Sequence, residues 1–181
     1  VEFSMYDSMI GRSNILNTAS ELKGLLESYL IPKMNATFEK LRVFKCRNVV
    51  EFNNKYPKLR INPTVLVIDE WADLFYSDKT IVKSISGLAA KCRAAGISIV
   101  LATQRPSADV ISGIIKANFP GRIALKVSSS VDSRIILDKT GAERLTEKGE
   151  GIILNESGQY KYFKTGYIEN IGRFLNENFT R

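Results

Sequence analysis

The apolar residues of this chain fall into two kinds of pattern. Over 19–44 the positions Leu22, Leu25, Leu26, Tyr29, Leu30, Met34, Phe38 and Leu41 recur at threes and fours. That spacing predicts an amphipathic helix or helix pair, broken or restarted near Pro32, since proline offers no N–H to the turn before it. Asn48 is placed to cap a short helix over 49–55, which must stop before Pro57, and 57–63 reads as a loop. The second kind of pattern begins at Thr64. Val65, Leu66, Val67 and Ile68 run without polar alternation, which predicts a strand buried on both faces.

Beyond Asp69 and Glu70 the helical period returns. Ile81, Ile85, Leu88 and Cys92 form the inner stripe of a helix over 80–95, with Gly96 placed to end it. A second buried strand follows over 97–102, then a short helix near 110–117, a third strand over 122–127 and a short helix over 130–138. The segments 151–154 and 160–165 read as a hairpin turning at Ser157-Gly158, and 168–178 as a closing helix. The first dozen residues carry no clear period. Alternation of strand and helix through the middle predicts an α/β fold, a mostly parallel sheet flanked by helices, with a C-terminal β-hairpin. There is no internal repeat and no low-complexity segment.

Composition narrows the class. At 181 residues the length suits one domain, and 44% hydrophobic with 25% charged residues is ordinary for a globular protein. No apolar run approaches the roughly 20 residues a membrane span needs. No signal peptide is seen, and because the chain starts at Val1 further sequence is expected upstream. Net charge is +7, which permits a polyanionic partner without requiring one. Cys46 and Cys92 form no close pair and suggest two buried free thiols in a reducing cytosol. With no histidine, a Ser-His-Asp triad or a zinc site is excluded.

The candidate chemistry sits where the first buried strand ends. Asp69 and Glu70 follow that strand at its C-terminal edge, the place where open α/β sheets keep their ligand crevice. In P-loop NTPases an acid here holds Mg²⁺ on the nucleotide, and a neighbouring acid can orient the attacking water. The competing reading is a strand that merely ends in solvated acids.

Three longer stretches favour the functional reading. VLVIDEWADL (65–74), KCRAAGISIVLATQRPSADVISGIIKANFPGRIAL (91–125) and VSSSVDSRIILDKTGAERL (127–145) follow in order the pattern of the motor domain of FtsK/SpoIIIE-type DNA translocases, which the chain therefore resembles. VEFSMYD (1–7) also looks like a segment of that family. The region 13–56 matches only in character, and the tail after 155 hardly at all. The resemblance implies a RecA-like P-loop NTPase core, of which this chain carries the later part: a mainly helical segment over 1–56, the Walker B to arginine-finger core over 64–154, and the hairpin strand and last helix over 155–181. The Gly-x-x-x-x-Gly-Lys-Ser/Thr loop that cradles phosphates is missing from all 181 residues, and Gly11 to Ser13 cannot replace it. The family places that loop upstream, so this chain alone is expected to bind ATP poorly and to be inactive.

The resemblance assigns roles as follows. Asp69 holds Mg²⁺, through water, and Glu70 orients the water that attacks ATP. Thr103 and Gln104 end the second strand in the same crevice, Thr103 as a residue expected to bind the nucleotide and Gln104 with an amide that can hydrogen-bond a γ-phosphate; the alternative for Gln104 is a loop glutamine facing water. Arg122 is implied to reach the nucleotide of a neighbouring subunit, a task suited to a guanidinium that is always charged and forks onto phosphate. Arg134 is a second candidate, with an internal pair to Asp132 or Asp138 as its rival. Trp71 reads as packing between sheet and helix rather than as a contact to adenine.

Cofactors implied are ATP and Mg²⁺, and the implied partners are double-stranded DNA and further copies in a ring, by resemblance a hexamer. Lys116, Arg144 and Lys148 lie on segments expected to grip the DNA backbone; scattered cations are otherwise ordinary solvated surface. The segment itself is expected to be cytoplasmic and to make no membrane contact, whatever lies upstream. The function so implied is part of an ATP-driven DNA translocase. The alternatives are a related ring ATPase of a secretion or conjugation system and a non-catalytic assembly fragment.

Overall fold

In the computed structural model, residues 15–169 and Arg173 are described. The chain divides into two compact units, one over Thr18–Gly121 and a second from Arg122 on.

The first unit opens with a capped helix. The Thr18 hydroxyl accepts the Glu21 N–H at 3.2 Å, and Glu21 accepts the Thr18 N–H at 3.0 Å, a reciprocal capping box. Helix α1 (Ala19–Leu25) runs without a gap through a π-helical turn, Leu26–Leu30, into α2 (Ile31–Val43). The break expected near Pro32 is therefore a widened turn. Ile31 N–H reaches back to the Leu26 carbonyl, five residues earlier, and Pro32, which has no N–H to give the preceding turn, follows directly after this widened turn. Leu22, Leu26, Leu30, Met34 and Leu41 are buried as the period required, whereas Tyr29 is half exposed. Helix α3 (Val49–Lys55) is capped by Asn48, whose side chain accepts the Glu51 N–H at 2.9 Å. Phe52 of α3 packs with Phe44 and Tyr56, ring centroids 5.2 and 5.3 Å away, over Leu41 and Cys46.

Strands β1 (Thr64–Ile68) and β2 (Ile97–Leu101) pair in parallel, Thr64 opposite Ile97 and Ile68 opposite Leu101. Between them lie α4 (Trp71–Ser77), which the periodicity did not announce, and α5 (Ile81–Cys92). All four predicted stripe residues of α5 are buried. A 3-10 turn, Arg93–Ala95, follows, and Gly96 ends it at φ 72° with a Cβ position only 3.2 Å from the Val49 side chain. Both facts favour glycine there. Helix α6 (Gly113–Asn118) closes the unit.

Burial corrects one expectation. Val65 and Val67 are 62% and 52% exposed, and Val100 of β2 is 48% exposed. The described part of the sheet thus covers one face only: Ile68 and Ile97 are buried, while the valines alternating with them stand open. An unbroken apolar run records a strand suited to cover on both sides, not which parts of the chain supply the cover.

In the second unit β3 (Arg122–Leu125) pairs antiparallel with β4 (Glu150–Leu154), which pairs antiparallel with β5 (Tyr160–Lys164). The third strand is thus hydrogen-bonded to the hairpin. The hairpin turns as predicted: Gly158 takes φ 79°, and the Asn155 side chain accepts the N–H groups of Ser157 and Gln159 at 3.1 and 2.8 Å. Helix α7 (Ser130–Leu137) packs Leu137 against Ala124, Ala142, Leu145, Ile152 and Leu154. Ser133, fully buried, donates to the Lys139 carbonyl at 2.7 Å and accepts the Ala142 N–H at 3.1 Å, fixing the loop after α7. The readings placed on residues 1–13 lie outside the described residues, as does the predicted last helix except for Ile168, Glu169 and Arg173.

Candidate nucleotide-hydrolysis site

Parallel pairing sets the site. With Ile68 opposite Leu101, both strands end at the same edge, and the residues that follow emerge side by side. The exits are tied: Ala102 N–H donates to the Ile68 carbonyl and Trp71 N–H to the Ala102 carbonyl, each at 2.8 Å. Of Asp69, Glu70, Thr103 and Gln104, the structure brings the last three into direct contact, Thr103 and Gln104 each bonding to Glu70.

Glu70 is the hub. Its Oε1 accepts hydrogen bonds from the Thr103 hydroxyl and, at 3.2 Å, from the Ala72 N–H. Its Oε2 accepts the Gln104 N–H at 2.9 Å. Glu70 also serves as the N-cap of α4, so the helix start and the strand end meet in one carboxylate. Partial burial pushes this carboxyl up. The Thr103 hydroxyl, the two backbone donors and the nearby Arg105 charge outweigh that effect and hold it below the usual carboxylate range.

Asp69 stands exposed at the end of β1. Among the described residues no cluster of three or more metal-ligating side chains exists. That donor set fits Mg²⁺ in one way only. A single exposed carboxylate can share an ion that keeps water and phosphate ligands, whereas a dedicated protein cage would need more oxygens.

Helix α4 carries two contacts that the sequence reading missed. Trp71, 1% exposed, donates its indole N–H to the Val110 carbonyl at 2.9 Å. Asp73 faces Arg105 at 3.6 Å, with both side chains about two-thirds exposed. The signal that could have found α4 is an acid at its N-cap with a second acid three residues on, ahead of Leu74 and Phe75. As expected, Trp71 packs in the interior.

The arginine and lysine candidates lie on other elements. Arg122, at the start of β3, is turned into its own unit: its guanidinium donates to the Ile136 carbonyl at 2.8 Å and pairs with Asp138 at 2.7 Å. Its side chain is 16% exposed, and its Nε has no hydrogen-bond partner among the described residues. The internal pair to Asp138 weighed for Arg134 is thus made by Arg122. Arg134 is exposed in the last turn of α7. Lys116 lies in the last turn of α6. Arg144 and Lys148 are exposed on the loop before β4, and Arg144 pairs with Glu143 at 3.4 Å.

Strand-end acids, the polar pair after the adjacent parallel strand and the surrounding helices define part of a RecA-like P-loop ATPase core. The fold comparison agrees. The conjugation coupling protein TcpA of pCW3, solved with ATPγS, superposes at TM-score 0.74 with 31% identity, over 82% of this chain and 45% of that one. The cytoplasmic domain of the Thermomonospora curvata type VII secretion ATPase EccC superposes at 0.70 with 19% identity, over 84% of this chain and 18% of that one, a likeness of fold. Within that class the chain belongs to the FtsK/SpoIIIE family. It is 44% identical over 138 residues to the DNA translocase FtsK of Treponema pallidum, covering 73% of this chain and 17% of the relative. It is 45% identical over 157 residues to that of Chlorobaculum tepidum, covering 82% and 19%. The chain spans about a fifth of the length of these curated relatives. No protein-family model matches it.

Proposed function

We propose that this chain is part of an ATP-driven double-stranded-DNA translocase motor, which couples ATP hydrolysis in a ring, of six copies by family analogy, to movement of DNA. The observation that carries this reading is the Glu70 carboxylate, held at the strand edge by Thr103 and Gln104. Bound Mg-ATP supplies the phosphoryl group to be transferred; the chain's own residues supply orientation and charge. Asp69 would hold the metal, through water, at its exposed strand end. Glu70 would orient the attacking water, Gln104 would turn its side-chain amide toward the terminal phosphate, and an arginine of a neighbouring copy, Arg122 or Arg134, would face the same phosphates. Lys116, Arg144 and Lys148 would grip the DNA backbone without reading sequence.

The test is Glu70→Gln in the full-length protein. It should remove most ATP turnover while leaving nucleotide bound, because the amide keeps the shape and loses the carboxylate. Turnover within a few-fold of the parent would sink the assignment. The 181 residues alone carry no phosphate loop and should give no saturable Mg-ATP isotherm at micromolar concentration in calorimetry.

The likeness to TcpA and EccC favours a second reading, a ring ATPase of a conjugation or secretion machine. Duplex DNA should stimulate turnover of the full-length protein under the first reading. Under a protein-moving reading it should leave turnover unchanged.

A further inference from the structure

Thr103 stands at the end of β2 with two hydrogen bonds to its hydroxyl. The Arg105 N–H donates to Thr103 Oγ1 at 3.1 Å, occupying a lone pair of the hydroxyl oxygen. A hydroxyl has one proton, and its neighbour on the other side, the Glu70 Oε1 carboxylate oxygen, is an acceptor only. The proton therefore points at Glu70. Across the carboxylate, the Gln104 N–H fixes Oε2 at 2.9 Å, and the Ala72 N–H fixes Oε1 at 3.2 Å. Three of the roughly four lone-pair sites of the carboxylate are thus engaged by protein donors. The remaining site, on Oε2, is the one left to meet a water. Two of the three donors are backbone groups that any sequence would supply. The third is the side chain of Thr103.

We propose that Thr103 is a positioning residue, whose hydroxyl aims the Glu70 carboxylate so that its remaining Oε2 lone pair faces the attacking water. This rests on the reading of Glu70 given above and departs from a direct contact between Thr103 and nucleotide. Without the hydroxyl, Oε1 keeps only the Ala72 bond, and the carboxylate can rotate about its last side-chain torsion, which is a broad one. A misplaced catalytic group loses rate without losing substrate affinity. Serine keeps the donor, while valine keeps the shape and removes it.

The experiment is steady-state and single-turnover hydrolysis by the full-length protein, with Thr103→Val, Thr103→Ser, Glu70→Gln and the Glu70→Gln/Thr103→Val pair. Expected is a fall in kcat of roughly 10- to 100-fold for Thr103→Val with KM for ATP within two- to threefold of the parent. Thr103→Ser should recover most of the rate. In the double variant Thr103→Val should cost nothing beyond Glu70→Gln, since it acts only through that carboxylate. A rise in KM with kcat kept would show a nucleotide contact and overturn the proposal. Additive losses, or no rescue by serine in a variant that melts like the parent, would also overturn it. If Glu70→Gln alone keeps turnover, the reading of Glu70 has failed and the proposal with it. If Glu70→Gln is inactive and Thr103→Val is not, only the proposal has failed.

Discussion

The indole of Trp71 and the carbonyl of Val110 are joined by a buried hydrogen bond of 2.9 Å across 39 positions of sequence. Trp71 follows Glu70 directly, and Val110, fully buried, lies on the segment leading from Gln104 to α6. The strand-end acid and the chain that leaves the second strand are thereby held in one piece.

Trp71→Phe keeps most of the buried ring and leaves the Val110 carbonyl without its indole donor. The expected loss is about 1–3 kcal/mol, the cost of stranding a buried polar group together with a small void. Urea unfolding of this chain, compared with the parent, measures it. An unchanged midpoint would mean that the carbonyl finds water at once.

How much of this was legible beforehand follows from what kind of information each feature needs. The stripe of Ile81, Ile85, Leu88 and Cys92 was readable because burial on one helix face leaves a period in the sequence. Asn48, Gly96 and Gly158 were readable because caps and left-handed turns favour particular residue types. Asp69, Glu70 and Gln104 could be placed in one region because strand ends in parallel sheets share an edge. Three features were not legible. The run Val65 to Ile68 does not record which parts of the chain cover it, so Val65 and Val67 are exposed here. Pro32 signals a disturbance but not that a π-helical turn absorbs it. Arg122 reads the same whether it faces a neighbour or its own helix, because a guanidinium suits both.

Glu51 provides a pH test away from the site. Its carboxylate accepts Lys55 Nζ at 2.8 Å and the Arg47 N–H at 2.9 Å. The Lys55 hydrogen bond, then the Arg47 N–H, lower its pKa from the ordinary 4.5 to about 2. A lowered folded-state pKa means that the stabilisation is fully present above about 4.5 and is lost as pH falls toward about 2. The urea midpoint of the parent should therefore fall faster than that of Glu51→Gln over this window, and the two curves should converge at its lower end. The difference should be small and shrink in high salt, since the group is near the surface. Parallel curves would remove Glu51 from the pH response.

Gly151 tests the hairpin. A Cβ there would lie 2.3 Å from Phe163 Cζ, inside any allowed contact, so the Phe163 ring rests on the bare backbone of β4. Gly151→Ala should destabilise the chain by about 1 kcal/mol, the low end for overpacking, because the atoms in the way are the far end of the half-buried Phe163 ring, which can swing aside. Combining it with Phe163→Leu should recover part of that, because the two changes share one space. Additive losses in thermal unfolding would show that the ring does not rest on Gly151.

The arginines separate a structural from a shared role. Arg122 caps the end of α7 through the Ile136 carbonyl and pairs with Asp138, which sits in the left-handed region at φ 59°. Arg122→Ala should therefore cost about 1.5–3 kcal/mol in this chain, the range for hydrogen bonds from a charged donor. Arg134→Ala, on an exposed surface, should cost less than about 0.5 kcal/mol. In the full-length protein each variant can be mixed with Glu70→Gln subunits. If an arginine acts on the neighbour's nucleotide, a mixed interface can contain both working parts, and turnover should rise above either pure variant. Exposure favours Arg134 for that task, so rescue is expected with Arg134→Ala. It is not expected with Arg122→Ala, whose deficit is in folding and travels with its own subunit. Rescue by a stably folded Arg122→Ala would reverse the assignment. It would also require the guanidinium to leave Ile136 and Asp138 when the copies assemble.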